Sequence, residues 1–441
     1  MNKFFYYISI CIICFSCTKQ SINFGGNTQS LTIDVIKTLG GTKNDAFSSI
    51  KKTTDGGYIA VGYAQSSDFD ISNKNNDSYD YWVVKFDAAN TIEWSKTFGG
   101  SDDDRARDIL QLSDGSFLVT GFSRSNDLDV TVNSGNYDFW VVKINIDGTL
   151  VWEKSFGFSG ADQSYIIKQT SDGNFLLGGS LDVTASGGQG NSKTSKRHAG
   201  GDYWLLKIDA NGNKLWSRYY GGQFTDTLLD ISETENGNYI LTGYSDSSDT
   251  DISNNLGEYD FWIVKVNNTG DLIWERNFGG SQIDEAFSIT KTTDNHFLIA
   301  GNTRSADKDV TLNNGSSDIW VIKINSDGTL IWERNFGGTS FDNANKIISS
   351  ERGGFYVVGS SRSSDIDAAS NFGNKDVWIL KIDATGNLQW QKNIGGSNLD
   401  EASSVIELQN GSLIVSGESW SSDNDILENK GFSDGLIVVL K

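Results

Sequence analysis

Short apolar runs recur along this chain, some alternating with polar residues and some apolar throughout, and breaks rich in Gly, Asn and Asp separate them. Alternation predicts half-buried β-strands and unbroken runs predict fully buried ones, while the helical period is missing. In one stretch, strand-like runs cover 106–112, 117–122, 138–144 and 150–156. Ser113, Asp114 and Gly115 divide the first two, and Asp147 and Gly148 the last two, as hairpin turns in which glycine supplies the positive φ. The second run has the relatives YIAVG at 58–62 and FYVVG at 355–359. It is apolar almost throughout, so both of its faces must be covered.

The unit repeats. Trp94, Trp152, Trp216, Trp274, Trp332 and Trp390 follow one another at intervals of 58 residues, apart from one of 64. A second tryptophan stands twelve positions before each: Trp82, Trp140, Trp204, Trp262, Trp320 and Trp378. Four strands per repeat predict sheets packed face to face around an axis, which buries both faces of every sheet. The ends of the chain set the count. The last repeat finishes in LIVVLK at 436–441, the counterpart of WILKI at 378–382, and lacks a fourth strand. TIDVIKTLGG at 32–41 matches the fourth-strand segment TIEWSKTFGG at 91–100. The expected fold over 31–441 is therefore an all-β, seven-bladed β-propeller of four-stranded antiparallel blades, closed by the N-terminal strand so that no sheet edge is free.

Hydrophobic residues make up 37% of the chain and aromatics 12%, enough for a substantial core, and 48 glycines without any proline place the turns on Gly, Asn and Asp. A net charge of −21 opposes binding to nucleic acid and to anionic lipid. Cys11, Cys14 and Cys17 all precede the repeats, so disulfides, zinc–thiolate sites and cysteine nucleophiles are excluded from the body. His198 and His296 are the imidazoles that remain.

Lys3, an apolar run over 4–15, then Ser16 and Cys17 read as an export signal too short to span a bilayer. Residues 14–17, CFSC, resemble a bacterial lipobox. The resemblance implies a lipoprotein signal peptide over 1–16, lipidation of Cys17 and a flexible tether over 17–30. It also implies a bacterial outer-membrane or cell-surface location, with the lipid anchor as the sole membrane contact. An uncleaved signal anchor is the alternative, and a monomer is expected.

A unit combining WSKTFGGS at 94–101, a DGGYI-type hairpin and DVWILKID at 376–383 resembles the seven-bladed β-propeller repeats of bacterial secreted proteins, over residues 31–441. The resemblance implies the fold and no common activity. DATGNLQW at 383–390 is also similar to the tryptophan docking motif of quinoprotein dehydrogenases. The adjacent-cysteine disulfide and calcium-and-base constellation of those enzymes have no counterpart here, so that likeness implies architecture alone.

In such a ring, the connection from the fourth strand to the next blade shares a face with the loop between strands two and three. The first connection carries Asp45, Asp104, Asp162, Asp226, Asp284, Asp342 and Asp400. The second carries Asp-x-Asp pairs: Asp68 and Asp70, Asp127 and Asp129, Asp249 and Asp251, Asp307 and Asp309, Asp365 and Asp367, and Asp423 and Asp425. Oxygen-rich loops of this kind suit calcium as a possible metal, or the carboxylates cap their own turns; no other cofactor is expected. The aspartates two positions before the buried-strand tryptophans, including Asp80 and Asp376, are expected to tie neighbouring blades.

A residue present in every repeat is explained by the fold, so function is sought where the symmetry breaks. The longer third-repeat loop, 186–201, holds Lys193, Lys196, Arg197 and His198, either as a solvated loop or as a docking point for an anionic ligand or glycan. Trp420, the thirteenth tryptophan, stands where other repeats place Gln65, Arg124, Asp246, Arg304 and Arg362. Its indole can stack on a sugar or a partner side chain, or pack on the adjacent loop. Trp420, Arg124, Arg304, Arg362 and the basic loop form the candidate ligand-binding set, and no catalytic residue stands out. The function expected is that of a non-catalytic surface lipoprotein binding a carbohydrate or protein partner through its acidic loop face. A carbohydrate-active hydrolase or lyase using two axial carboxylates is the alternative.

Overall fold

The computed structural model describes residues 31–441 apart from 73, 75 and 192–197. The export signal, Cys17 and the tether lie outside the described residues, as do Lys193, Lys196 and Arg197. Seven four-stranded antiparallel sheets stand in a ring as the blades of a β-propeller. Val183–Ser186, a single turn, is the helix among the described residues.

The first blade runs outward from the axis through Asp45–Lys52, Tyr58–Ala64, Asp80–Phe86 and Ile92–Phe98. In the second, the inner strand is Asp104–Gln111, starting two residues before the run at 106–112. The extension arises because the Asp104 N–H donates to the Tyr79 carbonyl of the preceding blade at 2.7 Å. Closure follows the expected register. Ile33–Leu39 pairs antiparallel with Asp434–Leu440, placing Ile36 opposite Val438 and Lys37 opposite Ile437.

The tryptophan period becomes a packing ladder. Trp82, Trp140, Trp204, Trp262, Trp320 and Trp378 are fully buried, and in four blades the aromatic ring one position earlier packs against the next blade's indole. Tyr81 lies 4.5 Å from Trp140, Phe139 4.6 Å from Trp204, Tyr203 4.5 Å from Trp262 and Phe261 4.7 Å from Trp320. Buried side chains of this size contribute roughly 1.5–3 kcal/mol each. The indole N–H stays satisfied within its own blade: Trp82 donates to Ser95, and Trp140 to Glu153. The outer tryptophans dock on the next blade. Gly148 has φ +79°, and a Cβ there would fall 3.1 Å from the Trp94 ring, so backbone and packing both exclude a side chain.

Candidate functional site

Every inner strand carries a β-bulge at the same place. The register between strands one and two jumps between Phe47 and Ser49 in the first blade, between Ala106 and Asp108 in the second, and equivalently in the other five. The extra residue has no cross-strand partner, and a bulge re-aims its side chain. The seven bulge residues are Ser48, Arg107, Tyr165, Leu229, Phe287, Asn345 and Ser403. All seven line one axial cavity of about 320 Å³. The fold thus gathers one side chain from each blade at a recurring position whose residue varies, with serine alone occurring twice.

Ion pairs between inner strands adjoin this cavity, and Lys346 and Asp108 line it. Lys346 Nζ reaches Asp230 Oδ2 at 2.8 Å, Lys168 approaches Asp230 Oδ1 at 3.3 Å, and Lys51 meets Asp108 at 2.8 Å. Asp230 also accepts from the Ser288 hydroxyl at 2.9 Å. Despite burial, Lys168 and Lys346 hold the Asp230 carboxyl well below the usual carboxylate range.

Glu401 and Glu418 face each other across strands one and two of the last blade and line the cavity wall. Burial, reinforced by Glu401, pushes the Glu418 carboxyl up to about 7. Glu401 is half-buried, and although desolvation acts against it, Lys375 Nζ at 2.7 Å and Asn345 Nδ2 at 2.7 Å hold it below the ordinary glutamate range. A neighbouring cavity of about 440 Å³ shares Phe287, Asn345 and Glu401 with the first. On its wall Arg304 and Arg362 both stack on Phe341, at 5.8 and 5.9 Å.

The structure brings these two arginines together, whereas Arg124 is engaged elsewhere, paired with Asp102 and over the Tyr137 ring. Trp420 is 40% exposed, and its carbonyl accepts from Asn398 Nδ2 at 3.1 Å. His198 departs from the expectation of a solvated basic loop. Its side chain is buried, with Nδ1 2.6 Å from Asp202 Oδ2 and Nε2 3.8 Å from Asp251 Oδ2. The beginning of that loop is also tied down, as a helical turn capped by Asp182 with Val183 and Ser186 buried.

The Asp-x-Asp carboxylates bind backbone. Asp68, Asp127, Asp249, Asp307, Asp365 and Asp423 each accept the N–H two residues after the start of the facing Gly-Gly connection or its equivalent, at 2.7–3.1 Å. Asp70, Asp129, Asp309, Asp367 and Asp425 accept the N–H of the glycine that opens that connection, at 3.0–3.4 Å. Among the described residues, no group of three or more His, Cys, Asp or Glu side chains gathers as a metal site. Between each pair, the middle residue is left-handed: Phe69, Leu128, Thr250, Lys308, Ile366 and Asn424 have φ between 52° and 60°. Phe69, Leu128 and Ile366 are also 69%, 76% and 58% exposed.

The aspartates before the buried tryptophans act differently from expectation. Asp138 accepts the N–H of Ser134 in its own blade at 2.7 Å, and Asp376 that of Phe372 at 2.6 Å. Toward the next blade they meet another carboxylate. A Cβ at Gly40 would fall 2.5 Å from Asp434 Oδ1 and 2.8 Å from Asp45 Oδ2, so glycine makes room for two acids at this joint.

The bulge residues and Glu418 are not among the repeated acids of the sequence pattern. Their signal was available, because each bulge residue stands three positions after the aspartate that opens a blade, and its identity varies while the flanking pattern holds.

No family model matches the chain. It is 22% identical over 431 residues to the regulatory protein FlaEY of Caulobacter vibrioides, covering 89% of this chain and 44% of that one, so it spans less than half of that relative. Among solved structures, the Pan2 WD40 domain of Neurospora crassa superimposes with a TM-score of 0.51 at 10% identity, over 92% of this chain and 94% of that one. BBS1N, solved in complex with ARL6DN, gives 0.49 at 6% identity over 93% and 96%. The match to the Pan2 domain shows a shared fold, and the chain is a seven-bladed β-propeller.

Proposed function

We propose that this protein is a binding module that engages a protein partner through the face carrying the Asp-x-Asp loops. One observation carries the reading: Phe69, Leu128 and Ile366 combine an exposed apolar side chain with a left-handed backbone. A bulky side chain in that conformation costs on the order of 1–3 kcal/mol, and strain of this kind clusters at functional positions. Leu427 and Phe432 extend the apolar set on the same face, at 85% and 65% exposure. Aliphatic and phenyl groups spread over several blades suit a protein surface better than a sugar, which favours a compact stacking platform. The Caulobacter relative is named as a regulatory protein, and a binding role accords with that name. Lipidation at Cys17 would hold the module at the outer membrane or cell surface.

The test uses cell-envelope extract from the native organism and three variants of the full chain: Leu128→Asp, Ile366→Asp and, on the opposite face, Ile146→Asp. A partner retained by wild type and Ile146→Asp but lost by the two loop variants is the expected result. Equal retention by all, or loss with Ile146→Asp alone, would refute the assignment of the face.

A further inference from the structure

We propose that the axial cavity is a receptor site for a small sugar acid, a ring bearing one carboxylate and several hydroxyls, with Arg107 taking the carboxylate. This site is separate from the loop face assigned to a protein partner, and its test stands apart from that one.

Around the axis, Lys51 pairs with Asp108, Lys168 and Lys346 share the single carboxylate of Asp230, Lys375 pairs with Glu401, and Arg105 pairs with Asp103 at 2.8 Å. Arg107 stands outside these pairs. Its Nε is buried without a hydrogen-bond partner, and its guanidinium lies 5.2 Å from the Phe122 ring centre and 6.0 Å from that of Tyr165. The side chain as a whole is half-buried, the bulge holds it against the cavity, and the carboxyl whose charge it feels there is that of Glu418. A guanidinium is a planar fork that matches a carboxylate with two parallel hydrogen bonds. Lys51, Lys168, Lys346 and Arg107 are four cations against the carboxylates of Asp108 and Asp230, so the axis carries surplus positive charge and suits an anion. Asp108, Glu401 and Glu418 line the same wall and oppose a phosphate dianion more strongly than a carboxylate monoanion.

The rest of the lining fits the remainder of a sugar acid. Tyr63, Tyr165 and Phe287 offer aromatic surface for the apolar face of a pyranose ring. Asn345 carries both donor and acceptor atoms. Glu418, pushed up to about 7 by burial and by Glu401, presents a protonated carboxyl over part of its population at neutral pH and so donates as well as accepts. Sugar hydroxyls need both. Ser48 and Ser403 keep part of the wall small, and a volume of about 320 Å³ lies at the lower end of small-molecule sites.

Isothermal titration of the full chain at pH 6.5 with sodium glucuronate, sodium galacturonate, glucose and glucose 6-phosphate tests this assignment. At least one uronate is expected to bind ten-fold or more tighter than glucose and tighter than the phosphate ester. Arg107→Met should weaken uronate binding at least ten-fold with an unchanged unfolding midpoint, Arg107→Lys should retain part of the affinity, and Leu128→Asp should leave it intact. Absence of uronate binding, glucose or the phosphate ester binding as tightly, or Arg107→Met binding like wild type would each overturn the proposal. The ligand comparison needs no variant, so misfolding of Arg107→Met cannot mask the answer.

Discussion

Lys346 Nζ lies 2.8 Å from Asp230 Oδ2, and this contact joins the sixth blade to the fourth across the axis of the ring. The two residues are 116 positions apart in the chain. The Asp230 side chain is 1% exposed and also faces Lys168, so one carboxylate compensates two ammonium groups. Asp230→Asn removes the carboxylate nearest both amines and is expected to destabilise the fold by about 2–4 kcal/mol, less than for a fully buried pair because the Lys168 side chain is 36% exposed. Urea unfolding of the variant measures this, and a loss below about 1 kcal/mol would show that solvent already screens the cluster.

Stability should rise as pH falls from 8 to 5. Burial pushes Asp80, Asp104, Asp138 and Asp376 up to about 6, Asp162, Asp260 and Asp318 up to about 7, and Asp226 up to about 8. The ordinary value is 3.8, so between roughly pH 4 and 8 the folded state holds more protons than the unfolded chain. Unfolding then releases protons, and the stability present at low pH is lost as pH rises through these folded values. The acids held low, such as Asp55 at about 2, titrate below this window and do not oppose the trend. Thermal midpoints measured at pH 5, 6.5 and 8 in one ionic strength should fall in that order. A midpoint that climbs toward pH 8 would contradict the burial of these carboxyls.

Ile366 has φ +54° and is 58% exposed, so its side chain gains little from packing while its β-branch strains the backbone. Ile366→Asn, which tolerates the left-handed region, should stabilise the protein by about 1 kcal/mol. The same change should weaken capture of a partner on this face. A lower melting temperature would mean that the isoleucine packs usefully in the free protein.

Deleting residues 32–39 removes the strand that pairs with Asp434–Leu440 and opens the last sheet. The exposed edge should drive self-association, seen as higher-order species in light scattering, and should lower the midpoint of unfolding. A monomer with an unchanged midpoint would show that the ring holds without this strand.

The paired tryptophans at a fixed spacing, the turn glycines and the strand-four motif at 32–41 are local features, and they carried the blade count, the strand order and the closure. They could do so because each blade repeats one hydrophobic pattern, and burial on both faces leaves a readable signature in a strand. What the Asp-x-Asp loops do was open at that level, since a carboxylate that caps a turn and one that binds metal occupy the same positions. Tertiary structure placed ten of those carboxylates and Asp249 on backbone N–H groups of a facing loop. It also buried His198 against Asp202. The axial cavity depends on tertiary structure most of all. Ser48, Arg107, Tyr165, Leu229, Phe287, Asn345 and Ser403 belong to seven separate strands, and closing the ring is what brings them to one axis. The chain itself determined a seven-fold scaffold through its repeats. The composition of the site arises from the residues that vary at one recurring position, and long-range closure alone assembles those.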